Sequence, residues 1–266
     1  MVRLQLRGQP IGPADRDIRA VLFDKDGTLS NSEPMLHALA EARVFHCQSL
    51  LRSRHPDLAS AVTAELDDLL RRAYGLDNGS VNPAGTMAVA SRDHNLISTA
   101  TALVQVGLGW PEALALGDAV FTATDRLHGQ GSRHRPTPTD GLHDLIDRLA
   151  AAGLRCAVIS NDAREGIASF LESAGLTPHF QACWSAEHIP RKPDPAAVHA
   201  LCDELAIPAG SCALIGDANS DLHMARDAGV AVVLGYTAAW RQPPPLDRSF
   251  LQLRHWRELE LTRLHH

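Results

Sequence analysis

The sequence predicts an α/β fold, a doubly wound parallel sheet carrying an all-α insertion, and three observations carry that prediction. First, Ala20-Val21-Leu22-Phe23 runs straight into Asp24 and a glycine turn, the pattern of a buried strand that delivers an acid at its carboxyl end. Second, from Thr139 onward short apolar runs alternate with helical stretches, which predicts parallel strands joined by helices on both faces of a sheet. Third, residues 34–128 keep helical spacing throughout, which predicts an inserted helical domain.

The elements follow in order. Val2 to Arg7 alternates apolar and basic residues before Gly8, Pro10, Gly12 and Pro13, which fits a short edge strand or hairpin arm. After the Asp24 strand, Pro34 marks a helix start, and apolar residues recur at helical spacing through Met35-Leu36-Leu39-Ala40 and Val44, then Leu66-Leu69-Leu70, then Leu103-Val104-Leu108. Breaks at His55-Pro56, Asp77-Asn78-Gly79, Asn82-Pro83 and Trp110-Pro111 divide the region into four or five helices, with no strand-like run among them. Gly129 to Pro138, rich in Gly, Pro and Ser, reads as a hinge. Beyond it come helices over 139–152, 164–174, 194–206 and 219–228, interleaved with strands at Cys156–Ile159, Phe180–Trp184, Cys212–Ile215 and Val230–Leu234. Pro243-Pro244-Pro245 ends the regular pattern, and Phe250–Leu253 adds a last strand before a terminal helix containing Trp256. The expected domains are a core of 1–32 and 130–266 and a helical domain of 33–129.

Composition narrows the function classes. A chain of 266 residues, 45% hydrophobic, is long enough for a sizeable core. Lys+Arg 25 against Asp+Glu 31 gives a formal charge of −6, with no dense basic block, which argues against nucleic acid or a membrane surface as partner and for a small soluble ligand. The five cysteines are scattered without a Cys-x-x-Cys pair, as expected of reduced thiols in a cytoplasmic protein. No leader-like apolar region opens the chain and no run of about 18 apolar residues occurs, so neither secretion nor membrane spanning is expected. The fourteen histidines are too dispersed to suggest a metal site.

In extended chain, residues i and i+2 point the same way, so Asp24 and Asp26 can face one ligand while Lys25 points elsewhere. Two carboxylates in one small space call for a hard cation, a shared proton, or both. The plain alternative is a solvated Asp-x-Asp-Gly turn. Ligands of open parallel sheets collect outside the carboxyl ends of the strands, and three expected strands end in polar groups. Asp24 and Asp26 follow the first, Ser160 and Asn161 the second, and Gly216-Asp217-Ala218-Asn219-Ser220-Asp221 the third, with Arg191-Lys192-Pro193 just before a helix in between.

Asp-x-Asp-Gly-Thr-Leu, Ser-Asn after an apolar strand, Lys-Pro, and Gly-Asp-x-x-x-Asp, in that order, resemble the four motifs of the haloacid dehalogenase superfamily, and within it the phosphatases of phosphoglycolate-phosphatase type. The resemblance spans residues 19–240. It implies that Asp24 is a nucleophile forming an aspartyl-phosphate and that Asp26 is the general acid and then the general base. Lys192 would bind both Asp24 and the phosphate, and Ser160 with the Asn161 backbone N–H would bind phosphoryl oxygens. The implied cofactor is Mg²⁺, held by Asp24, the backbone carbonyl of Asp26, Asp217 and, directly or through water, Asp221; an all-oxygen set suits that hard ion. Relatives that cleave carbon–halogen bonds lack the second Asp, so Asp26 argues for phosphoryl transfer. Gly27 and Thr28 are assigned to backbone shape. Lys25, where many relatives carry an aliphatic residue, is expected to point away from the phosphate.

The resemblance also places the helical insertion as a cap in the first insertion position, between the first and second motifs. Relatives so arranged hydrolyse small phosphorylated metabolites, with the cap excluding water and reading the rest of the substrate. The cap residues to inspect for specificity are His37, Arg43, His46, Arg92, His94 and Asn95, although for any one of them the reading as an ordinary solvated helix residue carries more weight. The expected function is therefore a Mg²⁺-dependent phosphatase acting on phosphoglycolate or a sugar phosphate. The alternatives are a sugar phosphomutase of the same superfamily and a non-catalytic binding protein. Oligomeric state is left open.

Overall fold

A computed structural model describes residues 2–129 and 135–263. In chain order the elements are β1 (Val2–Leu6), β2 (Gln9–Ile11), β3 (Ala20–Phe23), β4 (Ser30–Asn31), α1 (Glu33–Arg54), α2 (Pro56–Tyr74), β5 (Leu76–Asp77), β6 (Ser80–Val81), α3 (Thr86–Val89), α4 (Arg92–Gln105) and α5 (Trp110–Gly129). There follow β7 (Thr137–Pro138), α6 (Leu142–Ala151), β8 (Arg155–Ile159), α7 (Arg164–Ser173), β9 (Phe180–Trp184), α8 (Pro195–Leu205), β10 (Cys212–Gly216), α9 (Asn219–Asp227), β11 (Val232–Tyr236), β12 (Leu251–Leu253) and β13 (Leu259–Arg263). The chain divides into two compact units, parting between Asn31 and Ser32 and between Arg135 and Pro136.

The first unit is built on a six-stranded parallel sheet of order β12-β11-β10-β3-β8-β9. The expected α/β doubly wound sheet is therefore the observed fold. β3 lies at its centre, and all four of its residues are buried, which is why they are all apolar. Successive side chains serve opposite layers. Val21 and Phe23 pack with Leu145, Leu149, Phe170 and Trp256 on one face, while Ala20 and Leu22 pack with Val198, Leu201, Leu205 and Ala225 on the other. Phe23 registers with Ile215 on one side and Val158 on the other, so the residues after β3, β8 and β10 leave the sheet at one edge. From β3 the chain builds outward through β8 and β9, then returns to β10 on the opposite side. That reversal is a topological switch point, where open α/β sheets collect their ligands.

The second unit contains α1 to α5 and a two-residue hairpin pairing Leu76 with Val81. Its interior is lined by Val44, Leu51, Leu66, Leu70, Leu103 and Phe121, with Tyr74 donating or accepting a buried 2.5 Å hydrogen bond with Thr99.

Several sequence expectations need correction. The β5–β6 hairpin interrupts the helical region, because Asn78 and Gly79 take positive φ and fold the chain back on itself. The strand expected at 230–234 begins at Val232, since Gly229 at φ +74° ends α9 and the amide of Val230 is still bonded to Ala225. The helix expected over 139–152 starts only at Leu142, after Gly141 at φ +76°. Half of the expected hinge, residues 130–134, lies outside the described residues, and its end forms β7, which pairs with β4. Trp256 belongs to a single 3-10 turn rather than a terminal helix, and the chain then continues as β13, antiparallel to β1 in a second sheet of order β13-β1-β2. The indole of Trp256 is fully buried, stacked on Tyr236 at 4.2 Å and edge-on to Phe23 at 6.1 Å. No helix among the described residues is long and apolar enough to cross a membrane.

Candidate active site

Four elements deliver the site from one edge of the sheet. Asp24 follows β3 and is fixed by its own N–H, which donates to Ile215 at 2.9 Å. Asp217 follows β10, Asp221 lies in the first turn of α9, and Lys192 precedes α8, whose start is capped by the Asp194 carboxylate accepting from the Ala196 N–H. All four side chains are buried. One oxygen from each of Asp24, Asp217 and Asp221 lies within 4.8 Å of the others. Lys192 Nζ is 2.7 Å from Asp24 Oδ1, 2.8 Å from Asp221 Oδ1 and 3.2 Å from the carbonyl of Ile159. The three acceptors use all three ammonium protons.

Close approach here requires glycine at two positions. A Cβ on Gly216 would sit 2.7 Å from Asp221 Oδ2. Gly27 takes φ +80°, and a Cβ there would collide with the Asp217 carboxylate and the Trp240 indole nitrogen. Asp217 is held at both oxygens: Thr28 Oγ1 donates to Oδ1 at 3.0 Å and Trp240 Nε1 donates to Oδ2 at 2.7 Å.

One ammonium cannot neutralise three buried carboxylates, and the acids register the imbalance. Burial pushes Asp24 up to about 6, opposed by Lys192 and reinforced by the charge of Asp221. Burial, with the charges of Asp24 and Asp221, pushes Asp217 well above the usual carboxylate range. Burial works against the Lys192 cation too, but the Asp221 and Asp24 carboxylates outweigh it and hold the ammonium firmly protonated. A compact, all-oxygen, electron-rich cluster of this kind fits a hard divalent cation such as Mg²⁺.

Asp26 stands apart from this cluster. Its Oδ1 is 2.7 Å from Lys25 Nζ and accepts from Ser30 Oγ at 3.4 Å. Lys25 is buried and also reaches Asp162 Oδ2 at 3.0 Å. Strand alternation led to the expectation that Lys25 points elsewhere than the ligand Asp24 and Asp26 could share, but β3 ends at Phe23 and residue 25 already lies in a turn, where alternation no longer governs direction and the ammonium meets the Asp26 carboxylate. Thr28, assigned to backbone shape alone, also bonds Asp217. Ser160, buried just after β8, accepts the Asp162 N–H at 3.2 Å, and Asn161 sits between them in the same turn.

The helical-unit residues have local partners. Arg43 is buried with its guanidinium 3.8 Å from the Phe121 ring centroid and 3.5 Å from Asp125. Asn95 donates to the carbonyls of Thr86, Ala90 and Ser91. Arg92 pairs with Asp125 at 2.7 Å, His37 lies 3.8 Å from Glu41, the His46 ring meets Phe45 edge-on, and His94 takes the Ser91 cap through its N–H. Sequence reasoning did not assign Trp240 or Asp162 a role. Asp162 was visible beside Ser160-Asn161, whereas Trp240 lies in a loop whose path no spacing rule predicts.

The fold and site define a hydrolase class, and comparison with known proteins agrees. A family model described as haloacid dehalogenase-like hydrolase matches residues 18–229, and the chain belongs to that family. Among curated proteins it is 30% identical over 234 residues to a phosphoglycolate phosphatase of Rhodospirillum rubrum, covering 85% of this chain and 82% of that one. It is 27% identical over 216 residues to a phosphoglycolate phosphatase of Thiobacillus denitrificans, covering 81% and 82%. These relatives are phosphoric monoester hydrolases, the enzyme class this chain shares. Among solved structures, a predicted phosphoglycolate phosphatase from Haemophilus somnus aligns with a TM-score of 0.59 at 17% identity, covering 88% of this chain and 93% of that one. CbbY from Rhodobacter sphaeroides, solved with xylulose-(1,5)bisphosphate, aligns with a TM-score of 0.50 at 19% identity, covering 90% and 95%. At such identities these two alignments speak for the fold.

Proposed function

We propose that this chain is a Mg²⁺-dependent phosphatase that hydrolyses a small phosphomonoester, with phosphoglycolate the first candidate substrate, through an aspartyl-phosphate on Asp24. The observation that carries the reading is Lys192 bridging Asp24 and Asp221 inside a buried three-carboxylate cluster. The names of the curated relatives support phosphoglycolate, and the bisphosphate bound by CbbY keeps a sugar phosphate as the second choice.

In this reading Asp24, Asp217, Asp221 and the Asp26 carbonyl would hold the cation, which when bound supplies charge neutralisation for the phosphoryl oxygens. Lys192 keeps Asp24 ionised and oriented and adds a second positive charge where the phosphate docks. Ser160 and the Asn161 N–H donate to phosphoryl oxygens. Asp24 attacks phosphorus in line, and the bond to the leaving oxygen breaks as Asp26 hands that oxygen a proton. Asp26 then takes a proton from water, whose oxygen attacks phosphorus; the bond to Asp24 breaks and inorganic phosphate leaves. Phosphate release from a panel of metabolite esters, with Mg²⁺ and with EDTA, tests the reading. Mg²⁺-dependent release supports it, release undiminished by EDTA contradicts the cation, and phosphate moved within a sugar without net release points to a mutase instead.

A further inference from the structure

Lys25 is the one residue of the Asp24–Leu29 turn whose chemistry the proposed reaction leaves unused, and its surroundings are built around it. Its ammonium is 2.7 Å from Asp26 Oδ1 and 3.0 Å from Asp162 Oδ2, and its side chain is only 3% exposed. A buried ammonium is unfavourable unless its protons meet acceptors, and two charge-assisted hydrogen bonds to two carboxylates supply them. The Phe170 ring, 5.9 Å away, covers the cation from α7. The second carboxylate is placed with equal care: Asp162 Oδ1 accepts the Ala163 N–H at 2.8 Å, and a Cβ on Gly166 would collide with the Asp162 carboxylate.

Asp26 follows β3 and Asp162 follows β8, its immediate neighbour in the sheet. The lysine therefore ties the end of one strand to the turn that carries Ser160 and Asn161. We infer that Lys25 is a positioning residue which, with Asp162, clamps Asp26 in a fixed place relative to the phosphate-binding turn so that its proton reaches the leaving oxygen. This rests on the proposed phosphatase reading and on Asp26 as its acid. A lysine that merely neutralised two acids would stabilise the fold equally for every substrate. In the first step, which kcat/KM reports, a clamp on the proton donor matters only when the leaving group needs a proton; the later attack of water, where Asp26 serves as base, is common to all substrates.

The test compares an alkyl phosphate, whose alkoxide must be protonated as it leaves, with p-nitrophenyl phosphate, whose phenolate leaves without help. For Lys25→Met, kcat/KM should fall about 10–100-fold on the alkyl ester, a part of what a positioned acid supplies, and less than about threefold on the aryl ester. Equal losses on both esters, or no loss on either, overturn the inference while leaving the phosphatase reading intact. Should Lys25→Met fail to fold, Asp162→Asn decides by the same criterion, with a smaller difference of the same sign expected. A wild-type chain that hydrolyses neither ester overturns the parent reading and this inference with it.

Discussion

Trp240 holds Asp217 by a 2.7 Å hydrogen bond from its indole nitrogen to Oδ2, while Thr28 holds the other oxygen at 3.0 Å. A metal-ligating carboxylate fixed at both oxygens pays little orientational entropy on binding its ion, and removing such outer partners commonly costs 10–100-fold in metal affinity. Trp240→Phe keeps the packing and deletes the donor. Mg²⁺ affinity, followed by titration calorimetry, should weaken by about tenfold. Any change in tryptophan fluorescence on Mg²⁺ addition should shrink in the variant, whereas unchanged affinity would separate Trp240 from the cation.

Asp24→Asn removes the proposed nucleophile but keeps the shape and a hydrogen-bond acceptor for Lys192. Phosphate release should drop by at least about three orders of magnitude, with the circular dichroism spectrum unchanged. Turnover comparable to wild type would rule out covalent catalysis at this position.

The raised acids make a prediction about pH. Asp24 titrates near 6 in the fold against 3.8 as its ordinary value, so between those limits the folded state binds more protons than the unfolded one. Stability from this group is then full below about pH 4 and is lost as pH rises through 6; Asp217, shifted in the same direction by burial, adds a loss of the same sign. In EDTA, the thermal midpoint should fall by several degrees between pH 5 and pH 7, on the scale of about 2–4 °C per kcal/mol for a chain of this size. Mg²⁺ should reverse the trend by preferring the ionised acids. A midpoint that rises over this window in EDTA would contradict the assignment.

Trp256 donates to Thr139 Oγ1 at 2.9 Å, and that hydroxyl in turn donates to the Thr28 carbonyl at 3.0 Å. The indole thus both fills the core and supports the turn behind Asp24. Trp256→Ala should destabilise the protein by about 3–5 kcal/mol in urea unfolding. Trp256→Phe should cost less, since it keeps most of the stacking on Tyr236.

Much of the core was legible because each signal was local. An apolar run ending in an acid marks a buried strand and its exit, and Lys192, Asp217 and Asp221 sit at fixed offsets from elements whose periodicity is plain. The pairing of Lys25 with Asp26 and Asp162 was not legible because a period-two rule does not extend past the end of the strand. β13 was missed although Leu259-Glu260-Leu261 alternates, because its partner Leu4 lies at the other end of the chain and only the folded sheet brings them together. Arg43 and Asn95 show the matching difficulty in the helical unit: sequence marks them as polar, while their actual partners, Phe121, Asp125 and three backbone carbonyls, depend on how helices cross.

The central position of β3 also sets a timetable for biosynthesis. Both of its neighbours, β8 and β10, are encoded far downstream, so when Asp24 leaves the ribosome its strand has nothing to pair with until residues 155–159 and then 212–216 have followed. The helices of α1 to α5, whose partners lie close in sequence, face no such wait. Asp24 is therefore made long before the groups that surround it in the fold, so a nascent chain that stops short of residue 192 carries this carboxylate without its Lys192 partner.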